Sequence, residues 1–310
     1  MKNIKVLITG GAGFIGSHIA EEWINKGAKV IVLDNLKTGK VENLSHLKNI
    51  DFVQGDVCDE SLVNKIVQDV DYIHHLAAMV SVPESIEKPK NCVEVNVNGL
   101  LNILEAAKNS NVKKIVFSSS SAIYGDNPNL PHVESFLPNP KSPYGITKLD
   151  GEYYLNMYAE IFGLKSVSLR YFNVFGERQN PFSQYAAVIP IFISKAIQEK
   201  DLLIFGDGEQ TRDFIYVKDV VAANLLAALD ETQIGVFNIA SSRSTSVNSL
   251  AEKIISEIGS NSKIVHLEER AGEIKHSFAD VSKAEEQLKF KAMFSLEEGI
   301  TKTINYFKQL

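Results

Sequence analysis

The stretch from residue 5 to residue 34 constrains the fold more than any other part of the chain. Lys5–Thr9 (KVLIT) is a short apolar run that ends in glycines. Such a run, cut off by turn residues, reads as a parallel strand buried on both faces. Ile15–Lys26 follows with helical spacing, Gly27 closes it, and Lys29–Asp34 (KVIVLD) is a second strand. Between first strand and helix stands Thr9-Gly10-Gly11-Ala12-Gly13-Phe14-Ile15-Gly16. Strand, glycine turn, helix and strand make a βαβ unit, which demands a parallel sheet with covering helices.

The alternation continues. Asp51–Gln54, Tyr72–Leu76, Lys114–Ser118 and Leu164–Arg170 read as further strands, and Ser61–Gln68 as a helix with Ser61 as its cap. Helical patterns run over about 91–109 and 144–162. The expected class is α/β, a doubly wound (Rossmann) sheet. After Phe175 the pattern loosens into the loop-rich stretch Gly176–Pro190. Helices are expected at Val188–Lys200, 219–230 and Ser246–Gly259, and strands at Phe214–Val217 and Val236–Ile239. A last helix starts at Ser295, which has capping-box spacing to Glu298. No flexible linker separates the halves, so two interleaved domains are expected. One spans 1–175 plus about 214–240; the other, smaller and C-terminal, spans 176–213 and 241–310.

Of the 310 residues, 45% are hydrophobic and 23% charged, enough apolar material for a full core. Lys+Arg 32 against Asp+Glu 38 leaves a net charge of −6, which disfavours nucleic acid as a partner. The longest uncharged stretch, 179–194, holds two prolines and is too short and polar for a membrane span. Val6-Leu7-Ile8 is too short for a signal-peptide core. Cys58 and Cys92 lack a CxxC or a nearby His pair, so neither a zinc site nor a disulfide framework is expected. A cytoplasmic protein with no metal and no membrane partner is the resulting expectation.

Gly10, Gly13 and Gly16 let backbone approach a pyrophosphate at a helix N-terminus, where free N–H groups and the positive dipole end favour an anion. Asp34 ends the second strand, where a carboxylate accepts from ribose hydroxyls and repels a 2′-phosphate. Asn35, rather than an Arg, follows it. Together these favour NAD over NADP. Asp56, after the third strand, could accept from an adenine amino group or merely end a strand. Leu76-Ala77-Ala78 would leave room for a cofactor at the carboxyl edge of the sheet, or simply pack a helix.

Ser142-Pro143-Tyr144-Gly145-Ile146-Thr147-Lys148 suggests a second site. Ser142 suits the N-cap and Pro143 the first helical position, so Tyr144 and Lys148 share a face. A tyrosine with a pKa of about 10 is a poor base at neutral pH. A nearby ammonium and a nicotinamide cation both favour tyrosinate, which could then deprotonate a sugar or alcohol hydroxyl. Four consecutive hydroxyls, Ser118 to Ser121, end the strand before it, where a polar ligand could bind.

With Arg170-Tyr171-Phe172-Asn173-Val174-Phe175-Gly176 and Gly206-Asp207-Gly208-Glu209-Gln210-Thr211-Arg212-Asp213-Phe214, these motifs resemble the extended short-chain dehydrogenase/reductase superfamily over nearly the whole chain. The likeness is nearest to the UDP-hexose 4-epimerases, and among them to the bacterial type acting on UDP-N-acetylglucosamine; Tyr185-Ala186-Ala187-Val188-Ile189-Pro190 belongs to it. The resemblance implies Tyr144 as base, Lys148 as its electrostatic partner on the nicotinamide ribose, and Ser120, with Ser121 as understudy, on the reacting hydroxyl. It assigns Gly10, Gly13, Phe14, Ile15, Gly16, Asp34, Asn35, Gly39, Asp56, Val57, Leu76, Ala77, Ala78 and Phe172 to NAD. It assigns Ser81, Asn173, Val188, Arg212, Arg270, Glu273 and Ser277 to a UDP-sugar, with a small residue at Ser277 admitting a 2-acetamido group. Related dehydratases carry an Asp–Glu pair after the serine, and decarboxylases a Glu at the second of those positions; here Ser121 and Ala122 stand there. A homodimer through a four-helix bundle of the 91–109 and 144–162 helices is also implied. A UDP-glucuronate 4-epimerase, another nucleotide-sugar oxidoreductase and a non-catalytic nucleotide sensor are the alternatives.

Overall fold

The computed structural model describes residues 1, 3–182, 187–269 and 275–309. Its first half runs β1 (Lys5–Thr9), α1 (Phe14–Asn25), β2 (Lys29–Asp34), β3 (Ile50–Gln54), α2 (Glu60–Val67), β4 (Tyr72–His75), α3 (Val82–Glu87), α4 (Pro89–Val93), α5 (Gly99–Lys108), β5 (Lys114–Ser120), α6 (Pro143–Phe162) and β6 (Ser166–Tyr171). Then come β7 (Val174–Phe175), α7 (Val188–Ile197), β8 (Leu202–Phe205), β9 (Thr211–Arg212), β10 (Ile215–Tyr216), α8 (Val217–Leu229), β11 (Gly235–Ile239), β12 (Thr245–Ser246), α9 (Val247–Ile258), β13 (Ile264–Leu267), β14 (His276–Ser277), α10 (Ser282–Gln287) and α11 (Leu296–Phe307).

Seven strands form one sheet in the order β3-β2-β1-β4-β5-β6-β11, every pair parallel. The order reverses between β1 and β4, and ligands of such sheets bind at the carboxyl ends beside that reversal. Strand side chains alternate between two cores. Val6 and Ile8 pack with Trp23 of α1 and Val220 of α8, while Leu7 packs with Leu100 of α5 and Leu155 of α6. A third core joins α7, β8, α9 and α11 through Phe192, Leu202, Leu250 and Ile304.

Several expectations need correction. The cap of α2 is Asp59, whose carboxylate accepts from Leu62 N at 3.0 Å; Ser61 instead donates to Asp59 at 2.9 Å. The helix expected over 91–109 is α4 and α5 joined by a π-helical turn, Glu94–Asn98. The helix expected over Val188–Lys200 ends at Ile197, and α8 starts at Val217, inside what read as a strand. The two-residue strands β9, β12 and β14 form a small sheet, and β8 pairs with β13; runs this short leave no periodicity to read. Elsewhere the signals hold. Ser295 and Glu298 form the capping box, and Gly27, with φ +82°, ends the turn after α1.

Candidate active site

The glycine loop is shaped by absent side chains. A Cβ on Gly16 would lie 2.3 Å from Gly10 O, and one on Gly10, whose φ is +69°, 2.8 Å from Ala77 N. Thr9 braces the same corner, its hydroxyl 2.9 Å from His75 Nδ1 and accepting from Ala77 N at 3.2 Å. The loop thus abuts Leu76, Ala77 and Ala78, all partly exposed. No side chain caps α1 at Gly13, so its first turn, with partly exposed Phe14 and Ile15, is left to an anion. Asp34 accepts from Ala12 N at 3.0 Å and Leu36 N at 2.8 Å; a side chain on Gly39 would press on this carboxylate at 2.8 Å. Asp56 accepts from Asn35 Nδ2 at 2.8 Å and Cys58 N at 2.9 Å. Burial opposes its ionisation, yet those bonds hold its pKa below the usual carboxylate value. Val57 is buried behind it. This bare, anion-ready loop beside a fixed carboxylate fits a dinucleotide.

Across the reversal point lies the start of α6. Ser142 caps it, accepting from Gly145 N at 3.1 Å, and Pro143 takes its first turn. Lys148 is buried; its Nζ donates to Ser118 O at 2.6 Å and lies 4.8 Å over the Phe117 ring and 5.9 Å from the Tyr144 ring centre. Burial lowers its pKa to about 8. Burial also raises the Tyr144 pKa, against a hydrogen bond to Ser120 that lowers it. The expected depression of Tyr144 by the lysine is therefore not realised in the protein alone, because burial prevails there. Ser120 also accepts from Ala122 N at 3.2 Å, capping a short 3₁₀ turn, Ser121–Ile123.

Three neighbours escaped the sequence reading. Asn96, buried in the π turn, accepts from Met79 N at 2.7 Å and donates to Thr147 Oγ1 at 2.9 Å. Thr147 donates to Tyr144 O at 2.9 Å. Ser85 accepts from Tyr144 N at 3.2 Å. The one available signal was an asparagine interrupting a helical apolar pattern; π turns recur at functional sites.

Most of the remaining candidates lie in the second half of the chain. Ser277 on β14 lies in register with Arg212 on β9, and Ser277 is buried. Arg212 donates to Thr211 O at 2.9 Å and Lys275 O at 3.3 Å. Asn173 donates to Asp213 O at 3.2 Å, tying the end of β6 to the residue after Arg212. Val188 is the first residue of α7, and Ser81 caps α3 by accepting from Glu84 N at 3.1 Å. Phe172 is fully buried beside Tyr124 and His132. Arg270, Glu273, Tyr185 and Ala186 lie outside the described residues. Among the described residues no group of metal-ligating side chains comes together, and no helix is long and apolar enough to cross a membrane.

Residues 6–240 match the family model described as NAD dependent epimerase/dehydratase. A putative UDP-glucose 4-epimerase of Methanocaldococcus jannaschii is 43% identical, over 98% of both chains. The structure superimposes on a UDP-N-acetylglucosamine 4-epimerase from Methanobrevibacter ruminantium M1, solved with UDP-N-acetylmuramic acid, with TM-score 0.96, 44% identity and full coverage of both chains. It also matches Thermus thermophilus UDP-glucose 4-epimerase in complex with NAD, with TM-score 0.91 and 35% identity, over 98% of this chain and 99% of that one. A bare glycine loop, a helix that sets Tyr144 one turn from buried Lys148, and matches of this extent have one common explanation: the chain belongs to the NAD dependent epimerase/dehydratase family.

Proposed function

We propose that this chain is a UDP-hexose 4-epimerase that keeps one NAD through many turnovers and acts on UDP-GlcNAc/UDP-GalNAc, with UDP-Glc/UDP-Gal as further substrates. The observation that carries this reading is Tyr144, hydrogen-bonded to Ser120 and one helical turn from buried Lys148, in a chain whose first helix opens on a bare glycine loop. NAD held at the glycine loop would supply the hydride acceptor and donor for C4 of the sugar. Tyr144 takes the proton of the 4-hydroxyl and gives it back, while Ser120 holds the same oxygen. Lys148 supplies positive charge beside the phenolate that forms. Arg212 and Arg270 anchor the diphosphate by charge-assisted bonds, so the 4-keto sugar turns over while still tethered. Asn173, Val188, Ser81 and Glu273 complete the nucleotide and sugar contacts, and Phe172 backs the nicotinamide end. Ser277 is small enough to leave room for an acetamido group. Carboxylates that would serve dehydration or decarboxylation are missing at Ser121 and Ala122.

The same reading divides the labour, with residues 1–175 and about 214–240 holding NAD and the remainder capping the sugar nucleotide. A cytoplasmic homodimer fits as well. Exposed Val93 in the 91–109 helical stretch, and Ile146, Tyr153 and Ile161 in the 144–162 helix, fit a four-helix bundle of those two helices from each protomer. The test is incubation of the purified protein with UDP-GlcNAc, UDP-Glc and UDP-GlcA, without added NAD, followed by chromatography of the nucleotide sugars. Conversion of UDP-GlcNAc to UDP-GalNAc is the expected result. Conversion of UDP-GlcA alone, or net NADH release, would replace this reading with one of its rivals.

A further inference from the structure

Behind the Ser120 turn lies a buried ion pair that the chemistry above does not use. Glu152 follows Lys148 by one turn of α6. Its carboxylate takes two parallel bonds from Arg170 of β6, Nε to Oε1 at 2.9 Å and Nη2 to Oε2 at 2.7 Å. Both side chains are 4% exposed. Removing such a pair from water costs several kcal/mol per ion, so it is weak evidence for stability; apolar residues of similar size often do as well. Its remaining bonds suggest another purpose. Ser119 donates to Glu152 Oε1 at 2.6 Å, and Arg170 Nη1 donates to the Tyr124 hydroxyl at 2.8 Å. Tyr124 in turn donates to Asn238 Oδ1 at 2.7 Å. Ser119 and Tyr124 flank the short turn that starts from Ser120, and Gly145 of α6 leans on the same turn, where a Cβ would lie 2.9 Å from Ala122 O.

We propose that Glu152 and Arg170 are positioning residues that hold both flanks of the Ser120 turn and so fix the Ser120 hydroxyl against Tyr144. This rests on the reading of Tyr144 and Ser120 given above. The pair is built like a specificity device: planar, bidentate and rigid, with every further bond spent on the turn. A misplacement of about 1 Å at a reacting hydroxyl can cost a hundredfold in rate.

The test is the double variant Glu152→Leu/Arg170→Met, with Tyr124→Phe and Ser119→Ala as lighter cuts at each flank. The double variant is expected to fold, to retain its dinucleotide and to lose about 10–100-fold in kcat per folded molecule with KM for the UDP-sugar little changed. Tyr124→Phe and Ser119→Ala should lose less, again in kcat. In a Ser120→Ala background all these losses should shrink to about twofold or less, because groups acting through one hydroxyl are not additive. A merely structural pair would lower the folded fraction or cost the same in either background. Wild-type kcat in the folded double variant overturns the proposal. Should that variant not fold, wild-type kcat in both lighter variants overturns it. Tyr144→Phe is assayed alongside: full activity there sinks the general-base reading itself, whereas loss there beside intact pair variants sinks only the positioning role.

Discussion

The two ends of β5 each hold a buried ammonium group. At the amino edge of the sheet Lys114, with no exposed surface, donates to the carbonyl of Asp230 at the end of α8. At the carboxyl edge Lys148 donates to the carbonyl of Ser118. Burial lowers both to about 8. By burial, acceptor and titration the two are near twins, so a perturbed lysine alone does not mark a site. Their company separates them. Around Lys114 are a helix C-terminus and the charges of Asp230, Lys165 and Glu231. Around Lys148 are the rings of Tyr144 and Phe117 and the charge of Glu152.

Replacing each lysine by methionine tests that separation most strongly. Lys148→Met should lower kcat by about 10²–10⁴-fold, the usual scale for losing acid–base assistance, while Lys114→Met should stay within about twofold of wild type. Stability should move the other way. A folded-state pKa below the unfolded value of 10.5 means that ionised Lys148 opposes folding, in full below pH 8 and less as pH rises toward 10.5. That cost is on the order of 3 kcal/mol, and the lost hydrogen bond returns about 1–2 of it. Urea unfolding of Lys148→Met at pH 7 should therefore show a gain of about 1–2 kcal/mol that fades by pH 10. Lys114→Met should shift in the same direction, its ammonium being lowered to about 8 as well. Equal losses of activity in both variants would erase the contrast.

Strand β4 offers the acid counterpart. His74 and His75 are adjacent and buried; burial holds them at about 4 and about 3. Both stay neutral in the folded state while the unfolded chain protonates near 6.5, so stability is present above that pH and lost on acidification. Between pH 7 and pH 5 each histidine should remove about 2 kcal/mol. His74 bonds Trp23 Nε1 and Asn224, away from the site, whereas His75 stacks on Phe117, the ring under Lys148. His75→Gln and His74→Gln should flatten the acid slope equally, measured by urea midpoints at the two pH values. Only His75→Gln should also alter kcat, because only it removes a support of the ring that carries Lys148.

Ser277 extends the contrast to the proposed sugar contacts. It is buried in register with Arg212, so Ser277→Tyr would fill whatever room the serine leaves. Overpacking of about 1–3 kcal/mol should fall on the larger substrate. Turnover of UDP-GlcNAc should drop about 10–100-fold relative to UDP-Glc, conversions followed side by side, since each 1.4 kcal/mol is about tenfold. Equal loss on both sugars would mean that Ser277 does not gate the site.

What could be read from sequence follows from the range of the interactions. β1, the glycine loop, β2 and the Ser142 cap are local devices, each complete within a few residues, and the structure reproduces them. The Lys114–Asp230 and Glu152–Arg170 pairs span 116 and 18 residues and leave no periodic trace. The small sheet of β9, β12 and β14 joins two-residue strands from three distant segments, so only the family resemblance, not spacing, linked Arg212 to Ser277. The raised pKa of Tyr144 has a related reason: sequence shows the lysine one turn away but not the burial that disfavours the phenolate.

The smallest expected effect separates position from role at the carboxyl edge itself. Asp59 lies there, three residues beyond Asp56, and in the bare sequence either carboxylate could pass for a ligand contact. Its geometry makes it a local helix cap. It accepts from Leu62 N at 3.0 Å and from Ser61 Oγ at 2.9 Å, closing the first turn of α2. Hydrogen bonds from Leu62 N and Ser61 keep its pKa low, so the cap is intact at neutral pH and weakens only as acid protonates it. Removing an N-cap acceptor leaves helix-end N–H groups to water, a small but measurable loss. Asp59→Ala should therefore lower the urea midpoint by about 0.3 M, with kcat and KM unchanged. Ser61→Ala, which removes only a donor to the cap, should shift it by about half that or less. A loss of activity in Asp59→Ala beyond its loss of folded protein would give this carboxylate a part in the site, and proximity to the carboxyl edge would then count for more than the contrast between Lys114 and Lys148 allows.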